Sequence, residues 1–300
     1  MSLIESEFTL ASPDGYRIHG VSWSSERPAK ALVQIAHGRS EHARRYRPLA
    51  EALVRAGYAV HATDHRGHGR AAQRAGTLGD FGPRGFSALV EDLALVSRHL
   101  RGTGSGLPLL LFAHSMGSFA AQYLLLDHSD AIDGLVLSGT AAVDLRDPRR
   151  SGLQATQFNA GIPNPRTDCD WLSRDPAVVD AYLADPLCGF ALTPASTASI
   201  YAQAERIADP AEYRGIRRDL PLALITGDRD PVNNFLPWFD ALAARYRALG
   251  FSDVSTFVYG GARHEPVNET NRDEVISNLI AWFDRVTSAL APRGGRTVRA

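Results

Sequence analysis

Lysine is almost missing from this 300-residue chain: Lys30 is the only one, and arginine supplies nearly all of the positive charge. Together with the many alanines, this skew reads as genome composition and not as a selected phosphate-binding surface. Basic and acidic residues number 32 and 33, leaving a formal net charge of −1. That balance argues against nucleic acid as the main partner, since such binding rests on a basic face that neutralises phosphates. Cysteine is scarce too. Cys169 and Cys188 are too few for a disulfide framework or a zinc site, and two thiols are expected in preference to a bridge. Long apolar runs are absent. The first twelve residues hold Glu5 and Glu7 but no basic segment leading into an apolar stretch, and nothing approaches the ~20 apolar residues of a membrane span. The expectation is a cytoplasmic protein with no integral membrane segment, for which transient contact with a membrane surface stays open.

What remains is ordinary for a globular protein: 44% hydrophobic and 22% charged residues. Short strands are expected at Glu7–Leu10 and Tyr16–Ser22, joined by the turn Ser12-Pro13-Asp14-Gly15. Strands and helices then alternate. Apolar runs at Ala31–Ala36, Tyr58–Ala62, Pro108–Phe112 and Ile132–Leu137 read as buried strands. Between them, Arg44–Ala56, Phe86–Leu100 and Phe119–Leu126 carry apolar residues at helical spacing. The pattern breaks from Ala141 to Asp219, a proline-rich stretch with helical pieces at Ala177–Ala184 and Ala195–Ile207 and no clear strand. It resumes with strand Leu220–Thr226, helix Phe235–Leu249, strand Val254–Tyr259 and helix Arg272–Leu290. Such alternation implies a mostly parallel central sheet flanked by helices. The expected organisation is a core over 1–140 and 220–291, an inserted, mainly helical lid over 141–219, and a fraying basic tail over 292–300. A lid of this kind belongs above the carboxyl ends of the strands, where parallel sheets bind ligands.

The chemistry concentrates at strand ends. Pro108–Phe112 runs into Ala113-His114-Ser115-Met116-Gly117 and a helix follows at once, the context of a nucleophile elbow. Such a turn strains the serine backbone and demands small residues two before and two after. Gly117 meets this fully, and Ala113 adds one methyl. A serine needs a base, and the base needs an orienting acid. After His128 only His264 is left, in a loop between the last strand and the last helix. The acid belongs just after strand Leu220–Thr226, where Asp228 and Asp230 both stand. Asp230 is favoured, since Pro231 fixes the direction of its exit, and Asp228 is expected to cap the turn. For the oxyanion, one N–H donor is expected from Met116 and one from Arg39, in the loop after Ala31–Ala36 where Gly38 turns the backbone inward.

These stretches together resemble the monoacylglycerol lipases and bacterial lysophospholipase-like hydrolases, the serine-aminopeptidase-like branch of the α/β-hydrolase superfamily. His37-Gly38, Ser40-Glu41-His42 and Arg45-Tyr46 are similar to the HGxxEHxxRY stretch of that family. Asp64–Gly69 is similar to its D-x-x-G-H-G loop, Ala113–Gly117 to its G-H-S-M-G elbow, and Gly227–Pro231 and Gly261–Glu265 to its acid and histidine loops. The matches run from about residue 35 to 270. Ala113 and Ser118 depart from the family's glycines. The resemblance implies an α/β-hydrolase fold and lid-covered hydrolysis of lipid-like esters through an acyl-enzyme on Ser115, with no cofactor.

Other signals carry less. His61, Asp64, His65 and His68 straddle a strand end and a glycine loop, so no metal is expected there. Asn268-Glu269-Thr270 forms a glycosylation triplet without a secretory context, and Asn268 or Thr270 is expected to cap the last helix. Trp171, Leu187, Phe190 and Leu192, with Leu172 and Leu183, would line an acyl pocket or form the lid's own core. Asp168, Asp170 and Asp175 would recognise a free amine in a peptidase, though such residues more often start turns and helices. The expected partner is a small lipid-like ester. The rival readings are an aminopeptidase or acyltransferase on the same triad, and a binding protein of this fold without turnover.

Overall fold

The computed structural model describes residues 2–104, 106–153 and 155–290, and the expected basic tail lies outside them. Eight strands form one sheet: β1 Ile4–Ala11, β2 Arg17–Ser24, β3 Ala31–Ala36, β4 Tyr58–Thr63, β5 Leu109–His114, β6 Gly134–Ser138, β7 Leu222–Gly227 and β8 Val254–Tyr259. Their order is β1-β2-β4-β3-β5-β6-β7-β8. The β1–β2 and β2–β4 pairs are antiparallel, and all the others are parallel.

The helices are α1 Arg47–Arg55, α2 Gly69–Ala75, α3 Gly85–Thr103 and α4 Met116–His128, then α5 Val143–Arg146, α6 Pro148–Ser151, α7 Pro176–Ala184, α8 Pro194–Ile200 and α9 Ala204–Ala208, and finally α10 Pro237–Ala248 and α11 Arg272–Leu290. Those from α5 to α9 fill the excursion between β6 and β7, which holds no strand among its described residues.

The all-apolar run of β5 follows from helices covering both faces. Leu109, Leu111 and Ala113 belong to the core under α3 and α4, whereas Leu110 and Phe112 belong to the core under α1 and α11. Each such large apolar side chain, fully buried, contributes about 1.5–3 kcal/mol. Order reverses beside β3: the chain steps outward to β4, then crosses back to place β5 on the other side. The loops after β3 and β5 therefore open next to each other, the place where doubly wound sheets bind ligands.

Several elements differ from the sequence expectation, each for a local reason. The helix expected at Arg44 begins as a 3₁₀ turn over Ala43–Tyr46, and α1 starts at Arg47 because Pro48 suits a first turn. The single helix expected over Ala195–Ile207 is two. The carbonyl of Ile200 accepts from the Tyr123 hydroxyl and that of Tyr201 from Arg149, which interrupts the helical ladder. Asn234, Phe235 and Leu236 all have positive φ, so α10 begins only at Pro237. The last helix is preceded by Asn271, whose amide bonds Glu274, while Asn268 instead donates to Glu265.

Candidate active site

The turn after β5 is a single residue. Ser115 has φ 51° and ψ −118°, and α4 begins at Met116. Such a conformation costs a non-glycine residue of order 1–3 kcal/mol and persists only where its surroundings impose it. Here the Ser115 N–H donates to the Ser138 carbonyl at 2.8 Å. A Cβ on Gly117 would fall 2.4 Å from the Ala36 carbonyl oxygen, so only glycine lets the helix pass this close to β3. Ala113 is fully buried, its methyl accommodated in the core. Ser118 ties the turn down further, donating to the Ser115 carbonyl at 2.6 Å and bonding the Thr140 hydroxyl at 2.9 Å.

The loop after β8 brings His264 to this serine. Nε2 lies 2.8 Å from Ser115 Oγ, and Nδ1 lies 3.0 Å from both carboxylate oxygens of Asp230. A carboxylate on Nδ1 keeps the proton there and turns the Nε2 lone pair toward the serine hydroxyl. Asp230 is itself held by the Val232 N–H at 2.9 Å, Thr226 at 3.2 Å and Asn233 at 3.4 Å. Asp228 faces elsewhere: it accepts from the Gly261 N–H at 2.7 Å and so braces the histidine loop. The geometry thus brings together Ser115, Asp230 and His264, and leaves Asp228 out. His114, whose ring centre is 4.8 Å from that of His264, is pushed down to about 3 by burial and the neighbouring histidine, and stays neutral.

The loop after β3 closes the site. Glu41 accepts the Gly38 N–H at 2.5 Å, and His68 Nε2 accepts that of Ser40 at 3.1 Å. Among the described residues the N–H of Arg39, between them, has no protein acceptor. Met116, the first residue of α4, likewise has no carbonyl four residues back to serve it. A Cβ on Gly38 would stand 3.1 Å from the Ser115 Cβ, which fixes how near this loop approaches the nucleophile.

Beneath the loop, Asp64–Gly69 acts as a scaffold. His65 N–H donates to His37 Nε2 at 3.0 Å, His61 sits 2.7 Å from Ser22, and Asp64 accepts the Ala43 N–H at 2.9 Å. The side chains of His61, Asp64, His65 and His68 are each used in local hydrogen bonds, those of His65 and His68 to the carbonyls of His37 and Arg66, and do not converge on one point. A trio that the sequence did not signal does meet: His42 Nε2 is 2.9 Å from Asp185, with Cys188 alongside. Burial pushes the Cys188 thiol up to about 12, which keeps it protonated, and both cysteines are free.

A cavity of about 470 Å³ opens above Ser115. Trp171 and Phe190 line it, as the sequence suggested, with Phe119, Phe158, Ile200 and Val232 completing much of its apolar wall. Trp171 also packs on His264, ring centres 5.0 Å apart, and its carbonyl accepts the His264 N–H at 3.3 Å. Leu192 and Leu187 do not line this cavity. Leu192 is buried in the core under α3 and α4, and Leu187 faces a separate cleft beside His42, Arg44 and Arg70. Both lie between α7 and α8, where no regular period fixes which way a side chain points; of the two roles the sequence left open, neither leucine takes the acyl-pocket one. Leu183 is exposed and Leu172 lines the cavity. Asp170 bonds Thr167 and the Arg166 N–H, and Asp175 caps α7 and pairs with Arg272, so both serve structure. Asp168 is exposed and outside the cavity lining.

Comparison with known proteins places the whole chain among ester hydrolases and lipases by similarity. The chain is 31% identical over 291 residues to a monoacylglycerol lipase of Mycolicibacterium smegmatis, a match covering 94% of this chain and 98% of that protein. It is 24% identical over 272 residues to a phospholipase of Bacillus subtilis, covering 88% of this chain and 98% of the other. Among solved structures, a thermostable carboxyl esterase from Bacillus coagulans superposes with a TM-score of 0.84 at 28% identity, covering 94% of this chain and 99% of the esterase. The family model described as serine aminopeptidase, S33 matches residues 27–271, which span the elbow, both partner loops and the excursion between them, and the chain belongs to that family of α/β-hydrolases.

Proposed function

We propose that this protein hydrolyses carboxylic esters of lipid-like alcohols, monoacylglycerols or lysophospholipids, through an acyl-enzyme on Ser115. The observation that carries the reading is the continuous chain from Asp230 through His264 to Ser115, ending beside two unengaged N–H groups. His264 Nε2 takes the Ser115 proton as Oγ attacks the ester carbonyl. The N–H groups of Arg39 and Met116 receive the charge on the carbonyl oxygen, and the imidazolium then gives its proton to the departing alcohol. Water repeats the sequence and releases the acid. The steps need no metal and no cofactor.

Residues 141–219 act in this reading as a lid whose apolar side chains meet the substrate. The lipase and esterase names of the relatives support an ester substrate, and the half-apolar cavity supports a lipid-like one. An aminopeptidase would need a carboxylate free to receive an ammonium group. Glu41 and Glu265 are the carboxylates lining the cavity, and both are taken by Arg45. No helix among the described residues is long and apolar enough to cross a membrane. The test combines fluorophosphonate labelling of Ser115 with turnover of p-nitrophenyl esters, a monoacylglycerol, a lysophospholipid and a prolyl-arylamide. Ester turnover with labelling supports the reading; turnover of the arylamide alone overturns it.

A further inference from the structure

The ester cavity contains two guanidinium groups with no acid to match. Arg146, at the end of α5, is only 6% exposed and lines the cavity with Arg39. The one hydrogen bond of its guanidinium among the described residues runs from Nη1 to the Leu153 carbonyl at 3.3 Å, and its buried Nε has no partner. Phe158 packs against its face, 5.4 Å from ring centre to guanidinium carbon. A buried, always-charged group normally has a carboxylate beside it, because an unpaired one is costly.

The neighbouring acids are all engaged elsewhere. Asp144 is held by Arg245 at 2.8 and 2.9 Å, and Asp147 by Arg149 at 2.6 and 3.0 Å. Across the cavity Glu41 and Glu265 share Arg45.

Arg39 stands in the same position from the other side. Its backbone belongs to the oxyanion loop, while its side chain reaches the open cavity and makes no hydrogen bond or ion pair among the described residues. Unlike Arg146 it is exposed at the cavity mouth, where partial desolvation, with the positive charge of Arg146 nearby, pulls its pKa down. Two like charges therefore line one space beside the nucleophile, with Tyr182 and Tyr201 also in its lining.

We propose that the ester taken by this site carries a compact anion, a phosphate or a carboxylate, which the guanidinium groups of Arg39 and Arg146 bind. The inference rests on the ester-hydrolase reading and narrows its substrate class, which spans neutral monoacylglycerols and phosphate-bearing lysophospholipids, to esters that carry an anion. Guanidinium groups suit both oxyanions, through short, charge-assisted hydrogen bonds. The anion belongs either to the alcohol part, as in a lysophosphatidate, or to the acyl part, as in a half-ester of a dicarboxylic acid.

Matched pairs separate these sources in the full chain. One pair is a monoacylglycerol and the lysophosphatidate with the same acyl group. The other is p-nitrophenyl octanoate and the mono-p-nitrophenyl ester of octanedioic acid. In parallel, Ser115→Ala is titrated by calorimetry with octyl phosphate, octanoate and octanol, which reads binding without chemistry.

The anionic member of one pair is expected to show kcat/KM roughly tenfold higher or more, as for a charge-assisted contact in a partly desolvated site. The first pair assigns the anion to the alcohol part, the second to the acyl part. Arg146→Met should reduce that preference to about threefold or less, Arg146→Lys should restore part of it, and added salt should weaken it. Arg39→Met, at a side chain without hydrogen bonds, keeps the test available if thermal unfolding shows that Arg146→Met does not fold. Equal turnover within both pairs, or a preference that survives both methionine variants, overturns the proposal and leaves ester hydrolysis standing. If no ester is turned over and Ser115 stays unlabelled, the hydrolase reading itself fails, and calorimetry decides alone. Tighter binding of octyl phosphate or octanoate than of octanol, lost on adding Arg146→Met, supports the anion site; equal binding rejects it.

Discussion

Arg45 donates two hydrogen bonds to Glu265, at 2.9 and 3.0 Å, and so ties the loop presenting the Arg39 N–H to the loop carrying His264. The same guanidinium donates to Glu41 at 2.5 Å, and Glu41 in turn accepts the Gly38 N–H and the Tyr46 hydroxyl. Burial would raise Glu265, but Arg45 overrides it and holds the carboxyl at about 2, while burial and the neighbouring Glu265 keep Glu41 above the usual range. Arg45 is a positioning residue for both halves of the site.

Arg45→Met is therefore expected to cost about 3–5 kcal/mol of stability at neutral pH, since it leaves two buried carboxylates without a cation. Those carboxyls would then hold protons more tightly in the folded chain than in the unfolded one. Their penalty is smallest at low pH and grows as pH rises from 5 to 8. Denaturant titrations of both proteins across that range check the sign. A difference that shrinks with rising pH would contradict the network.

The three-residue chain makes a sharper demand on kinetics. Ser115→Ala and His264→Ala should each remove ester turnover by several orders of magnitude, and the double variant should lose little more, because the pair acts as a unit. Asp230→Asn should reduce turnover roughly 10⁴-fold through the wrong imidazole tautomer. Asp228→Asn, which loses only a brace to Gly261, should cost far less. The reverse ranking of the two aspartates would break the assignment.

Much of this site was legible because strand ends are punctuated. Ala31–Ala36 and Val254–Tyr259 coincide with the observed strands, and Ser115, His264 and the Asp228/Asp230 pair follow from where strands stop. The excursion between β6 and β7 was legible only as an interruption. Its contacts are long-range, as where Glu265 N–H meets the Leu172 carbonyl, and no local period encodes them. Arg146 shows the same limit. In sequence it is one of many arginines, and only the pairing of Asp144 with Arg245 and of Asp147 with Arg149 leaves it alone. Helix α2, seven residues of largely polar character, gave no apolar stripe to find.

Acid should unfold this protein earlier than its carboxylates alone would require. His37, His65, His68 and His114 are buried and neutral; burial holds His65 at about 4, His68 and His114 at about 3, and His37 well below its ordinary value. A depressed folded pKa means the unfolded chain binds the proton first. Stability is full above about 6.5 and falls as pH drops toward the folded values, by roughly 1 kcal/mol per pH unit for each such histidine. Unfolding midpoints at pH 7, 6 and 5 test this directly. A flat profile over that interval would mean that these rings gain protons in the folded state.

The cavity wall makes the last prediction, and it separates residues that the sequence had grouped. Each methylene moved from water into an apolar wall contributes about 0.8 kcal/mol, close to fourfold in binding, so kcat/KM should climb with acyl length until the cavity of about 470 Å³ is full. Phe190 and Ile200 both face that cavity. Truncating either to alanine should flatten the dependence on chain length while changing acetate esters much less. Because binding energy away from the reacting carbonyl is used in the transition state, part of the loss should appear in kcat. Leu192 is packed in the core and Leu187 faces another cleft, so alanine at either should lower the unfolding temperature through lost packing and leave the slope against chain length intact. A series of p-nitrophenyl esters from acetate to decanoate, run on all four variants beside thermal unfolding, distinguishes the two groups. Should Leu192→Ala flatten the series as Phe190→Ala does, the acyl chain must run through the core side of the excursion and not through this cavity.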